Sequence, residues 1–177
     1  GGMQVAMGRS LLPVIQGRVV GGSPTINSAI AWRIPDDVME SWQEDYGLRD
    51  VLSMDILAPH YETLERELNV SPVASAIAGR NNTLMAEAGK KLGIEVIPIQ
   101  RYERQCQGSS RCLQGCPAGA RQSMELTYVP AAQEKGARLI PSVEARRVVV
   151  QEGRAQWVEG QWQPESGLSG TAWFRAR

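Results

Sequence analysis

The chain has 177 residues, 19 Lys and Arg against 19 Asp and Glu, 42% hydrophobic and 21% charged. A formal charge of zero withholds the basic field that drives non-specific nucleic-acid binding, and the ordinary hydrophobic share sets aside wholesale disorder. No uninterrupted apolar run nears the roughly 18 residues of a membrane-spanning helix, and residues 1–8 lack the basic and apolar regions of a signal peptide.

Residues 1–35 are dense in glycine and small residues: Gly8, Gly17, Gly21, Gly22 and Ser23 alternate with short apolar runs. This pattern predicts a loop-rich segment opening into a helix near Asn27. Residues 36–104 read as helical. Asp36 and Asp37 are placed as the cap of a helix over Val38–Asp45, stopped by Gly47. Pro59 is placed at the start of a second helix carrying Tyr61, Leu64 and Leu68. Asn81 and Asn82 are placed as the cap of a third helix, Thr83–Leu92, with Gly93 as its left-handed stop. A short strand and connector follow, with Ile94, Val96, Ile97 and Ile99. Residues 105–120 show no periodicity and read as a loop. Residues 121–177 read as a helix from Ser123 to Lys135, then strands at Arg138–Ile140, Val143–Gln151, Ala155–Val158 and 171–177. The turn Glu152-Gly153 predicts that the middle two form a hairpin.

Two stretches carry chemistry. In Gly17-Arg18-Val19-Val20-Gly21-Gly22-Ser23-Pro24-Thr25-Ile26-Asn27, paired glycines let backbone approach a flat or anionic ligand, and Asn27 adds a donor and an acceptor. Taken alone, the glycines read more simply as a plain tight turn, since glycine pairs are common punctuation. The spacing is not the G-x-G-x-x-G dinucleotide fingerprint. The second stretch holds all three cysteines, Cys106-x5-Cys112-x3-Cys116-Pro117. Three thiolates on one loop suit an iron–sulfur cluster or zinc, although zinc would need a fourth ligand. Metal-free cysteines are the third reading. His60, the one histidine, reads as a surface residue. The five tryptophans read as core or interface, and the charges of 62–67 as a solvated helix face.

Together these segments resemble the glucose–methanol–choline (GMC) oxidoreductases, flavoenzymes that oxidise alcohols. The matching stretches are Gly17–Ser23 with Asn27, Trp32-Arg33 with Pro35, Cys112–Pro117, Gly119–Ser123, Tyr128–Ala132 and Gly136-Ala137, running into Val143. Pro24 departs from the small residue usual there. The resemblance implies a mixed α/β chain, a partial FAD-binding Rossmann-like domain without its first βαβ nucleotide-binding unit. It places FAD contacts at Arg18, Gly21, Gly22, Ser23, Asn27, Ser28 and Ile30, with backbone near Val143 meeting the adenine. Some relatives tether the flavin through a His just before that Asn. Ile26 stands there, so FAD is expected to be non-covalent. The Cys loop resembles that of bacterial FAD-dependent glucose dehydrogenases, which implies a 3Fe–4S cluster on Cys106, Cys112 and Cys116.

The family's catalytic histidine has no counterpart here, so no catalytic residue is expected in this chain. The reading is an internal piece of a longer enzyme, inactive and marginally stable by itself. The implied partners are an alcohol or sugar substrate and an electron-acceptor protein or quinone, without nucleic acid or a membrane span. The competing readings are a small iron–sulfur or zinc module for electron transfer or docking, and a non-catalytic remnant.

Overall fold

The structure, a computed structural model, describes residues 2–164 and 167–175. The chain forms two compact units that divide after Ala132.

The first unit opens on an antiparallel hairpin of β1 (Gly2–Met7) and β2 (Leu11–Gln16), in register from Gly2 opposite Gln16 to Met7 opposite Leu11. Sequence reading expected loop here. The small residues that suggested it form the reversal, Gly8-Arg9-Ser10, while the apolar runs on either side pair. No helix opens near Asn27. A single 3-10 turn over Ser23–Thr25 leads into extended chain.

Helix α1 (Asp36–Tyr46) takes Pro35 as its N-cap, so Asp36 and Asp37 lie in the first turn, where carboxylates favour the positive helix end. Helix α2 (Met54–Glu67) begins earlier than Pro59, because the Ser53 hydroxyl caps it by accepting from the Ile56 N–H at 3.4 Å. Pro59 sits inside the helix, where its ring removes one hydrogen bond. Helix α3 (Gly79–Leu92) also starts before its expected caps. Asn82 lies within it and donates back to the Ala78 carbonyl, and the helix ends on left-handed Gly93 as expected.

Between these helices, β3 (Val70–Pro72) pairs antiparallel with β4 (Gln100–Tyr102). Of residues 94–104, expected as a short strand and connector, 94–99 are irregular and the strand is β4. Segment 29–31 runs along β4, with Tyr102 N–H donating to Ala29 O and Ala31 N–H to Gln100 O, both at 3.0 Å. Beyond β4 the chain pairs with 120–122: Arg104 N–H donates to Ala120 O, Gln122 N–H donates to Tyr102 O, and Glu103 stands opposite Arg121. The Cys loop is therefore an excursion whose neck is closed at both strands.

Helix α4 (Tyr128–Glu134) is shorter than the helix expected over 123–135, because 123–127 form turns. The second unit is a three-stranded antiparallel sheet of β5 (Val143–Gln151), β6 (Arg154–Trp162) and β7 (Gly170–Arg175). The predicted hairpin is present, turning at left-handed Glu152 and Gly153. Arg138–Ile140 is not a strand, and the end of the last expected strand, 176–177, lies outside the described residues.

Candidate functional site

The glycine segment leaves β2 and folds back on itself. Gly17 N–H donates to Ser23 Oγ at 3.2 Å, and Gly22 N–H to Val19 O at 2.9 Å. Two of its glycines face protein. A Cβ on Gly17 would stand 2.6 Å from Gly22 O, and one on Gly21 would stand 2.4 Å from Glu125 Oε2. Thr25 Oγ1 donates to the same carboxylate at 2.9 Å, and Ser123 Oγ donates to its other oxygen at 2.6 Å. Glycine at 17 and 21 is thus demanded by close packing within the chain. Gly22 differs: a Cβ there would meet only Pro24 Cδ, at 3.9 Å.

Asn27 closes the segment. Its Oδ1 accepts from Ala29 N–H at 2.8 Å and from the Tyr102 hydroxyl. The first bond is an Asx turn, which supports the left-handed backbone of Ala29 (φ 57°). Both bonds use the amide oxygen, which leaves Nδ2 as the donor available to a ligand. Asn27 itself is exposed, as are Ser23 and Ile30, while Ala29 and Tyr102 beneath them are buried. Arg121, 3% exposed, reaches the same turn from below: its Nη1 donates to Asn27 O at 2.7 Å and to Cys112 O at 2.5 Å.

Seven of the eight expected flavin contacts, Arg18, Gly21, Gly22, Ser23, Asn27, Ser28 and Ile30, thus share one loop. The eighth, Val143, opens β5 in the second unit, opposite Trp162. Sequence reasoning gave no role to Tyr102, Arg121, Ser123 or Glu125. Arg121 had one usable signal, a lone charge in the small-residue stretch Gly119-Ala120-Arg121.

All three thiols are free and half-buried, and they line one cavity of about 60 Å³ with Arg101, Glu103 and Arg121. Arg101 Nη2 donates to Cys112 Sγ at 3.0 Å. The Cys116 thiol is pushed up by burial, but the backbone N–H groups of Arg121, Ala120 and Ala118 and the Arg121 charge outweigh this and hold it below the ordinary range. The Cys106 thiol is raised by burial and by Glu103, against one N–H from Gly108. The implied cluster does not fit this arrangement. Among the described residues no three His, Cys, Asp or Glu side chains surround one point as a metal requires, and 60 Å³ is room for about two waters.

The opposite shifts have a measurable consequence. Because the thiolate is the nucleophile, the pH profile of alkylation in the intact protein should have its midpoint lower for Cys116 than for Cys106. Peptide mapping after iodoacetamide pulses across about pH 6–10 checks it. Coincident midpoints would show that the backbone N–H groups do not hold Cys116.

Further along segment 29–33, a groove of about 700 Å³ is lined by Trp32, Ile97, Pro98 and Ile99, with the Arg33–Glu65 pair beside them. That pair is bidentate, at 2.8 and 2.6 Å, and Arg33 also lies over the Tyr61 ring at 5.5 Å. His60 is exposed on α2, as expected. Trp32, Trp42, Trp162 and Trp173 are exposed too, contrary to a core role.

Residues 1–169 match a family model described as GMC oxidoreductase. An uncharacterised GMC-type oxidoreductase of Sinorhizobium fredii is 34% identical over 167 residues, 94% of this chain and 33% of that protein. One of Mycobacterium tuberculosis is 35% identical over 157 residues, 89% of this chain and 25% of that protein. A long-chain-alcohol oxidase of Arabidopsis thaliana is 24% identical over 140 residues, 77% of this chain and 18% of that protein. The chain spans a third or less of the length of these curated relatives. No solved structure matches it.

Proposed function

We propose that this chain, which belongs to the GMC oxidoreductase family, supplies the isoalloxazine-side cradle of an FAD-dependent oxidoreductase acting on the CH–OH group of an alcohol or sugar. The observation that carries this is the Asn27 turn: exposed above, unobstructed at Gly22, and fixed from beneath by buried Tyr102 and Arg121. These residues fit a flat anionic cofactor. Gly22 offers backbone without a side chain, Asn27 offers Nδ2, and Arg18 brings a positive charge to the same loop.

FAD, bound there without a covalent link, would take hydride from the substrate's C–OH carbon. The work of this chain is to bind and orient. The Asx turn sets the direction of the Asn27 amide, and the packing of Gly21 on Glu125 fixes the height of the loop. Loss of the hydride must be matched by transfer of the alcohol proton to a base. The long-chain-alcohol oxidases among its relatives and the apolar walls of the 700 Å³ groove beside Ile30 favour an apolar alcohol over a sugar. A partner protein or a quinone would take the electrons onward.

The three free thiols around the cavity beside Arg101 and Arg121 do not fit a 3Fe–4S cluster as they stand, and holding one would require the loop to open around it. One preparation of the intact protein tests both. The proposed function predicts about one FAD per chain, released by denaturation without proteolysis, and bleaching of the flavin by a primary alcohol under anaerobic conditions. A protein that takes up no FAD overturns it. Iron that is absent, or unchanged in Cys112→Ser, removes the cluster.

A further inference from the structure

The most buried charged side chain among the described residues makes no salt bridge. Arg121 is 3% exposed, and among the described residues no salt bridge joins it to a carboxylate. Its Nε is buried without a hydrogen-bond partner. Burying a guanidinium in this way is costly unless its hydrogen bonds are worth keeping. The two that it makes are specific. One nitrogen, Nη1, holds Asn27 O at 2.7 Å and Cys112 O at 2.5 Å. Those carbonyls belong to loops 85 residues apart in sequence (112 − 27), and Arg121 itself stands at the neck that closes the Cys loop, opposite Glu103.

We propose that Arg121 is a positioning residue that clamps the Asn27 turn to the Cys loop, so that displacing either loop displaces the other. The part of this statement that concerns the cofactor rests on the proposed function. The clamp itself rests on the two hydrogen bonds. Tyr102 strengthens the coupling: its hydroxyl holds Asn27 Oδ1, while its carbonyl accepts from Gln122 N–H at 3.0 Å. The turn is thus gripped at its backbone and at its side chain by neighbouring strands of one neck. Chemistry at Cys112, such as alkylation by an electrophile or oxidation by a peroxide, would then register at the Asn27 turn 85 residues away.

The test uses the intact protein and Arg121→Ala, with Arg121→Lys as the variant that keeps the charge and most of the stem. In Arg121→Ala, Cys112 should alkylate at least tenfold faster and FAD should bind at least tenfold more weakly, with a changed visible circular dichroism of the flavin. Millimolar methylguanidinium should restore both properties, and methylammonium should not. Arg121→Lys should show smaller losses of both together. If the alanine variant fails to fold, the lysine variant decides: wild-type labelling and wild-type FAD affinity would overturn the clamp. Loss of one property without the other, or rescue by methylammonium as well, would also overturn it. A wild-type protein without FAD would defeat the proposed function alone, since the rate of Cys112 labelling and its rescue would still decide the clamp.

Discussion

Gly21→Ala should destabilise the intact protein by about 2–5 kcal/mol, the largest cost expected in the glycine segment. Two effects add. Gly21 has φ 92°, and a positive φ costs an alanine roughly 1–2 kcal/mol. The new Cβ would also stand 2.4 Å from Glu125 Oε2 and 2.8 Å from Glu125 N. The carboxylate could swing away, but only by giving up Thr25 Oγ1 and Ser123 Oγ, and the backbone nitrogen cannot move alone. Overpacking of this kind costs about 1–3 kcal/mol. Gly22→Ala is the comparison. It combines φ 67° with ψ −152°, a region nearly confined to glycine, but its Cβ would meet only Pro24 Cδ at 3.9 Å, so about 1–3 kcal/mol is expected, from backbone strain alone. Its methyl group would stand on the open side of the loop, and FAD affinity should fall further than stability. Urea midpoints and FAD titrations of the two variants separate these roles. Equal midpoints would mean that Gly21 does not pack on Glu125. Unchanged FAD affinity in Gly22→Ala would remove Gly22 from the cofactor site.

That contrast also marks what the sequence could disclose. Glycines at 17, 21 and 22 announce a close approach, yet spacing does not say whether the neighbour is a ligand or the chain itself. At 17 and 21 it is the chain. Local signals did well where the physics is local: Gly93 ends α3, and Glu152-Gly153 turns the hairpin of β5 and β6 with β5 bounded as expected. They failed where a residue acts against its average. Small residues suggested loop through a segment that pairs as β1 and β2. Pro59, a good helix starter, lies inside α2 because Ser53 offers a cap six residues earlier. The support beneath Asn27 was invisible for a different reason. Tyr102 and Arg121 reach it across 75 and 94 residues, and no period or composition records contacts between polar groups so far apart.

Asn27 allows the structural and the binding function of one side chain to be separated. Leucine at this position fills a similar volume but removes both acceptor interactions. It would leave the N–H of fully buried Ala29 and the hydroxyl of buried Tyr102 without partners. An unsatisfied buried group costs about 1–3 kcal/mol. Asn27 is itself exposed, so water recovers part of this, and Asn27→Leu should cost roughly 2–4 kcal/mol in total. Asn27→Asp keeps an acceptor oxygen for both donors, and a charged acceptor strengthens such bonds. The turn should therefore hold at neutral pH, with a urea midpoint near that of the wild type. What aspartate lacks is the Nδ2 donor, and what it adds is negative charge beside an anionic cofactor. FAD affinity should fall at least tenfold, a loss of about 1.4 kcal/mol or more, while stability is kept. The Tyr102 hydroxyl, already raised by burial, should rise further beside the new carboxylate, which a spectrophotometric tyrosine titration would register. If Asn27→Asp unfolds as readily as Asn27→Leu, the turn depends on the amide nitrogen and the assignment of Oδ1 as the structural half is wrong. If it keeps wild-type FAD affinity, the donor half is idle, and the cradle must hold its cofactor by backbone alone.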